Sequence, residues 1–380
     1  MSREQELDRL LGLVAEQIDR DHCRAVDARY RLALAGKPVD RTPLVVSAGY
    51  PGKLNLPRPW DQFQTYAYRE AFHDPVAMLQ NELLGSVAPG LLLKDDSPLM
   101  IRNNHGTIQM ASLLGGRWEV PENDFPWIKR FDSQERIREI ADSKAPIDLR
   151  GGILPPSFRT LEFYAEKLRK YPVCQEAIQI ALPDLQGPLD TAEQLWGSDI
   201  YLAVSEESDL FNRLLARITD AMLTVAAEFR KHATDRLDPF AIAQHEYMVP
   251  GRLLVRNDSA IMLSPGTYRE LVLPHDARLL HGVGGGSIHF CGNGRQLVTP
   301  MLEIPDLRGL DITQPELNNI REIYRQCREH RVAVTGLTTP REDLVSGKAA
   351  ADYPTGCVLV YLTSDLDDAR EVLRAYHSGK

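Results

Sequence analysis

The sequence predicts an α/β protein, a (β/α)8 barrel with an N-terminal helical extension. Two observations carry this. Apolar, β-branched runs alternate with amphipathic helical runs through the second half of the chain, a rhythm that implies parallel strands joined by helical crossovers. About eight strand candidates can be counted, and 380 residues is a length that a barrel with insertions reaches. An open doubly wound sheet is the second choice.

The elements follow in order. Leu7, Leu10, Leu11, Val14 and Ile18 fall at helical spacing, so the chain opens with an amphipathic helix. That stripe suits a subunit interface as well as an intramolecular contact, which leaves the oligomeric state open. Gly36 and Pro38 break the helical pattern, dividing the chain into an extension at 1–40 and a barrel at 41–380. "PLVVSAGYPG" reads as a buried strand entering a glycine-containing turn, and "LMIRNNHGTI" as a second strand. Residues 54–75, rich in proline and aromatics, read as irregular, and "PENDFPWIKRFDS" as a loop. "PSFRTLEFYAEKLRKY" is a helix, "EAIQIALPDLQGP" a strand, and "LFNRLLARITDAMLTVAAEFRKHA" a long amphipathic helix. "PFAIAQHEYM" reads as the next strand, and Ser264–Pro265 cap the helix after it. Strands "SIHFCG", "LRGLDIT", "RVAVTGL" and "CVLVYLT" then alternate with helices, and "DLDDAREVLRAYH" closes the chain. The glycine cluster Gly282-x-Gly284-Gly285-Gly286 precedes a strand instead of following one, so it is no dinucleotide fingerprint.

Composition narrows the function. A net charge of -9 argues against a nucleic-acid or anionic-membrane surface, while leaving room for an anionic small molecule held by a local arginine or lysine. The N-terminus is charged from its third residue and lacks a signal-peptide core. No apolar run approaches the ~18 residues of a membrane span. Cysteines 23, 174, 291, 327 and 357 form an odd, scattered set, so a cytoplasmic protein without a disulfide framework is expected.

The strand "SIHFC" carries the sharpest chemical signal. Side chains two apart on a strand share a face, which puts His289 and Cys291 together. Gly292 and Asn293 mark the carboxyl end of that strand, the end that carries chemistry in a barrel. Imidazole and thiolate are both zinc ligands, but zinc needs three or four. The third ligand stays open. Cys357 falls at the amino end of its strand if "VLVYLT" is that strand, and at the carboxyl end if the strand stops at Gly356. The β-branched and aromatic content of "VLVYLT" favours the first version. His245, Glu246 and Asp258 lie near other strand ends and are the next candidates. His105 in "NNHGT" is a weaker one.

With these pieces in place, the chain resembles the uroporphyrinogen decarboxylase superfamily. The stretches that carry the resemblance are "RYRLALAGKPVDRTPL", "DLQGPLDTAEQLWG", "LLVRNDSAIMLSPGTYRELVLPHDARLL" and "GGGSIHFCGN". True decarboxylases carry an arginine-rich "RQAGRY" segment after the first strand. Here that place reads "SAGYPGKLNLPRPW", with Arg58 its only arginine. The departure favours the zinc-dependent corrinoid methyltransferase branch, whose His-x-Cys and later Gly-Cys are matched by His289, Cys291 and Gly356–Cys357. The resemblance implies a zinc site at His289, Cys291 and Cys357, with Asp258 and His245 positioning or protonating the substrate. It implies methyl transfer between a small molecule and a corrinoid carried on a partner protein. A metal-independent decarboxylase or lyase of the same fold is the alternative, and a non-catalytic binding module the third reading.

Overall fold

The computed structural model describes residues 1–49 and 53–378. The glycine turn expected in "SAGYPG" lies partly outside them. Thirteen strands are present among the described residues: β1 (Leu44–Ser47), β2 (Met100–Ile101), β3 (Arg117–Glu119), β4 (Trp127–Lys129), β5 (Gln179–Ile180), β6 (Leu185–Gln186), β7 (Ala241–Gln244), β8 (Tyr247–Pro250), β9 (Leu254–Arg256), β10 (Gly286–Phe290), β11 (Leu307–Ile312), β12 (Ala333–Thr338) and β13 (Cys357–Leu362). Seven form one sheet in the order β1-β13-β12-β11-β10-β9-β6, and every pairing in it is parallel. This is an α/β fold with a parallel central sheet, and its first strand pairs with its last.

The free edge of β1 is met by side chains. Leu44 N–H donates to Asp96 (3.0 Å) and Val46 N–H to Asp95 (2.7 Å), while Asp96 N–H returns a bond to the Leu44 carbonyl (3.1 Å). Both carboxylates sit just before β2, which pairs in parallel with β5. Exposed strand amides need partners, and two aspartates supply them where no strand ladder joins β1 to β2 among the described residues. Arg29 and Arg41 both reach Asp96 from the N-terminal region.

Three expectations need correction, and one question left open is answered. "PFAIAQHEYM" is not a strand of the parallel sheet. It is β7 plus the turn and start of β8 in an antiparallel hairpin, with Ala241 opposite Pro250 and Gln244 opposite Tyr247. The hairpin presses on the sheet's inner face: Ser287 donates its hydroxyl to the Pro250 carbonyl (2.7 Å). At Gly309 a Cβ would meet Pro250 at 2.7 Å, so the missing side chain is what lets the hairpin approach. The strand in its place is β9, within "LLVRN". "PENDFPWIKRFDS" contains β4, which pairs antiparallel with β3. The helical run Pro75–Leu93 spans 19 residues and is apolar enough to cross a membrane by length and composition, where the sequence reading expected none; most of it is buried in the molecule. The N-terminal stripe, finally, is used internally. Leu7, Leu10, Leu11 and Val14 are fully buried, and their helix packs on the helices Pro75–Glu82 and Pro172–Ala177.

Candidate functional site

Register builds the site. Gln186 of β6 pairs with Arg256 of β9, Arg256 with His289 of β10, His289 with Asp311 of β11, and Asp311 with Thr335 of β12. Residues paired in register on parallel strands point to the same face. Five neighbouring strands therefore present one polar layer near their carboxyl ends. Ile288, Leu310 and Val334, one position earlier, point the other way and are fully buried.

Asp311 is the centre of the layer and is fully buried. One of its oxygens accepts from the Tyr247 hydroxyl (2.8 Å) and the Thr335 hydroxyl (2.7 Å). The other lies 2.6 Å from His289 Nδ1 and 3.5 Å from His245 Nδ1. Burial opposes its charge, but the hydrogen bonds and charges of His245 and His289 hold it well below the usual carboxylate range. His289 thus turns its Nε2 toward Cys291, whose sulfur is 3.2 Å away. Asp258 Oδ1 lies 3.4 Å from the same nitrogen and accepts the Cys291 N–H at 2.8 Å. Asp258 is itself placed by Asp190, which accepts the backbone N–H groups of Asp258 (2.9 Å) and Ser259 (2.8 Å). Burial, with Asp258 close by, pushes the Asp190 carboxyl up to about 8. Burial also pushes the Cys291 thiol up to about 11, with Asp258 adding to the effect.

His245 enters from the hairpin tip. His245 and Glu246 form the whole turn and both take left-handed backbone angles, φ 51° and 68°. Two-residue turns of this kind favour Asn-Gly, so two bulky residues here mark strain held by the surroundings. The ring has Asp184 on one side (Nε2 to Oδ1 3.4 Å) and Asp311 on the other, and touches Arg256. Burial and Arg256 push its pKa down; the two carboxylates outweigh them and leave it raised.

Asp258, His289 and Cys291 offer one ligand atom each, all within 4.8 Å of one another; His245, His289 and Asp311 do the same. The first set fits a metal. Ligand atoms on a tetrahedral zinc are spaced by roughly 3.3–3.8 Å, given bonds of 2.0–2.3 Å, and two of these contacts are 3.2 and 3.4 Å. The carboxylate on the far nitrogen of His289 is the usual support of a metal-bound imidazole.

The structure does not bring Cys357 to this set. Cys357 is the first residue of β13, in register with outward-facing Val334. Its fully buried thiol lies 3.7 Å from the Tyr353 carbonyl, and the nearby groups are Tyr324, Tyr376 and Arg328 of flanking helices. The long version of the strand, the one that "VLVYLT" favoured, is the one that forms. His105 also lies apart, edge-on to Phe72 and 3.3 Å from the Ser157 hydroxyl.

The fold is similar to that of a methyltransferase from Methanosarcina mazei. The two share 16% sequence identity, with a TM-score of 0.65 over 93% of this chain and 98% of that one. At that identity the likeness is one of fold. No family model matches the chain, and no curated protein matches it.

Sequence reasoning missed Asp311, Asp184, Arg102 and Arg256. A signal existed for two of them. Buried parallel strands read as near-continuous apolar runs, so the lone charge in "GLDIT" and in "LLVR" is an exception that asks for a role.

Proposed function

We propose that this chain is a metal-assisted methyltransferase on a (β/α)8 barrel at 41–380, with the helices of 1–40 as an extension. The observation that carries the reading is the convergence of Asp258 Oδ1, His289 Nε2 and Cys291 Sγ. The pairing of the first strand with the last supports the barrel. The likeness of fold to a protein named as a methyltransferase supports methyl transfer.

In this reading Asp258, His289 and Cys291 hold zinc, with Asp258 in the place that the family resemblance gives to Cys357. Bound zinc lowers the pKa of a thiol that it coordinates, which makes a thiolate available at neutral pH. The protein's own groups do the rest. Asp311 accepts from His289 Nδ1 and so reserves Nε2 for the ligand role. His245, between Asp184 and Asp311, holds the proton exchanged with the substrate thiol. Burial pushes the pKa of Glu246, beside it in the turn, up. The small molecule exchanges its methyl group with a corrinoid on a partner protein.

The test is zinc content by elemental mass spectrometry on untagged protein, beside methyl transfer from methylcobalamin to a panel of small thiols. About one zinc per chain is expected. It is lost in Asp258→Ala, His289→Ala and Cys291→Ala and kept in Cys357→Ala. A wild type free of zinc after add-back under reducing conditions overturns the reading. Zinc lost in Cys357→Ala and kept in Asp258→Ala restores the sequence-level ligand set.

A further inference from the structure

The metal reading uses one half of the polar layer; the other half is cationic. Arg256 ends β9 in register with His289, and Arg102 directly follows β2. Both guanidinium groups converge on a single carboxylate, Asp184, Arg102 at 2.6 Å and Arg256 at 3.5 Å. Both side chains are largely buried, 18% and 16% exposed. The next carboxyls, Glu82 and Glu246, are both pushed up by burial against the pull of Arg102. Asp184 is shifted the other way. Burial opposes its charge, and Arg102, Arg256 and His245 keep it well below the usual range.

Two buried guanidinium groups therefore meet at one carboxylate, and Asp258 and Asp311 add to the negative charge around Arg256. A guanidinium carries five N–H donors. Arg256 touches His245 through one nitrogen, and its Nε is buried with no partner among the described residues. A buried donor without an acceptor is strongly unfavourable, and a buried charge without a counter-ion more so. The chain leaves such a donor beside the Asp258–His289–Cys291 set, one register step away.

We propose that Arg256 and Arg102 form a subsite for a carboxylate on the small-molecule substrate. The inference rests on the proposed function and narrows it: the methyl donor or acceptor is a small carboxylic acid. The planar guanidinium fork matches two carboxylate oxygens, the geometry that makes arginine a carboxylate reader. A carboxylate there supplies an acceptor for Arg256 Nε. It also lies against His245, which Arg256 already contacts.

The experiment is thermal unfolding of the full, zinc-supplemented chain at constant ionic strength, titrated with propionate, malonate, sulfate and the neutral isostere propionamide. A ligand that binds the native state raises Tm with a saturable dependence on concentration. Propionate and malonate are expected to do so, and propionamide is not. In Arg256→Gln the apparent affinity for propionate should fall at least about tenfold, the loss of one charge-assisted hydrogen bond, and in Arg256→Lys by less. If Arg256→Gln does not fold, Arg102→Gln and the 15N-labelled arginine Nε–H resonances of the wild type replace it. One such resonance should then shift on adding propionate. Equal stabilisation by propionate and propionamide, or equal affinity in wild type and Arg256→Gln, overturns the proposal. Sulfate binding more tightly than malonate overturns the assignment to a carboxylate. Zinc is measured on the same samples. Zinc kept with propionate unbound defeats this inference alone, and propionate bound without zinc defeats the metal reading alone.

Discussion

Cys291 and Cys357 are the same side chain in opposite surroundings. Around Cys291 a histidine nitrogen, a carboxylate and the Thr313 hydroxyl converge, the last at 3.6 Å. Cys357 makes a long hydrogen bond to a carbonyl, and burial raises the thiol pKa strongly. One thiol has metal-binding company and the other behaves as a small apolar filler. The difference is one of position on a strand. Cys291 follows the end of β10 on the inner face, and Cys357 opens β13 on the outer face. Glycine before a cysteine says nothing about which of these applies.

The comparison can be broken most severely at Asp311, which organises the inner face. Asp311→Asn leaves His245 and His289 without their shared counter-charge, and breaking a buried pair in this way costs about 3–5 kcal/mol. Urea unfolding should show that loss, and zinc affinity should fall about 10–100-fold. Unchanged unfolding would mean that the layer is not held by this carboxylate. Next comes Gly336→Ala. Gly336 has φ +73°, and a Cβ there would meet the Tyr247 hydroxyl at 2.7 Å and Asp311 Oδ1 at 2.9 Å. Backbone strain alone should cost ~1–3 kcal/mol, with a chemical-denaturation midpoint as the readout.

The two cysteines give the direct test. Cys357→Ser buries a hydroxyl in place of a thiol and should cost ~1–3 kcal/mol while leaving zinc content unchanged. Cys291→Ser should do the reverse, losing zinc with little change in stability in the metal-free protein. Matching outcomes for the pair would remove the contrast. A further test concerns pH. His105 and His275 are each pushed down to about 4 by burial, from 6.5. Between those values the unfolded chain takes up a proton that the folded chain refuses. Stability from each is therefore lost as pH falls from about 6.5 to 4, at ~1.4 kcal/mol per pH unit. His105→Gln should remove one such slope, and an unaltered profile would show that His105 is not buried as described.

Much of the site was legible locally. "SIHFC" places His289 and Cys291 on one face by strand alternation alone, and the structure finds their side chains 3.2 Å apart. Asp258 was legible as a carboxylate past a strand. His245 was legible only as a candidate, because "AIAQHEYM" has the apolar content of one strand and no glycine or asparagine to mark a turn. The left-handed backbone at His245 and Glu246 is imposed by what surrounds the hairpin. Arg102 and Asp184 were not legible as a pair, since they are far apart in sequence and meet only where β2 and the β5–β6 segment run side by side.

By itself, the sequence determined the alternation of strands and helices, the pairing of His289 with Cys291 on one strand face, and a net charge of -9. These follow from side-chain periodicity and composition, which are local or additive. Tertiary structure decided the ligand set, the hairpin inside the sheet and the two arginines on Asp184. Those depend on register between strands distant in sequence. A shift of one residue turns every side chain of a strand to the other face, which is why Asp311 meets His289 and Thr335 meets Asp311 while Cys357 turns away.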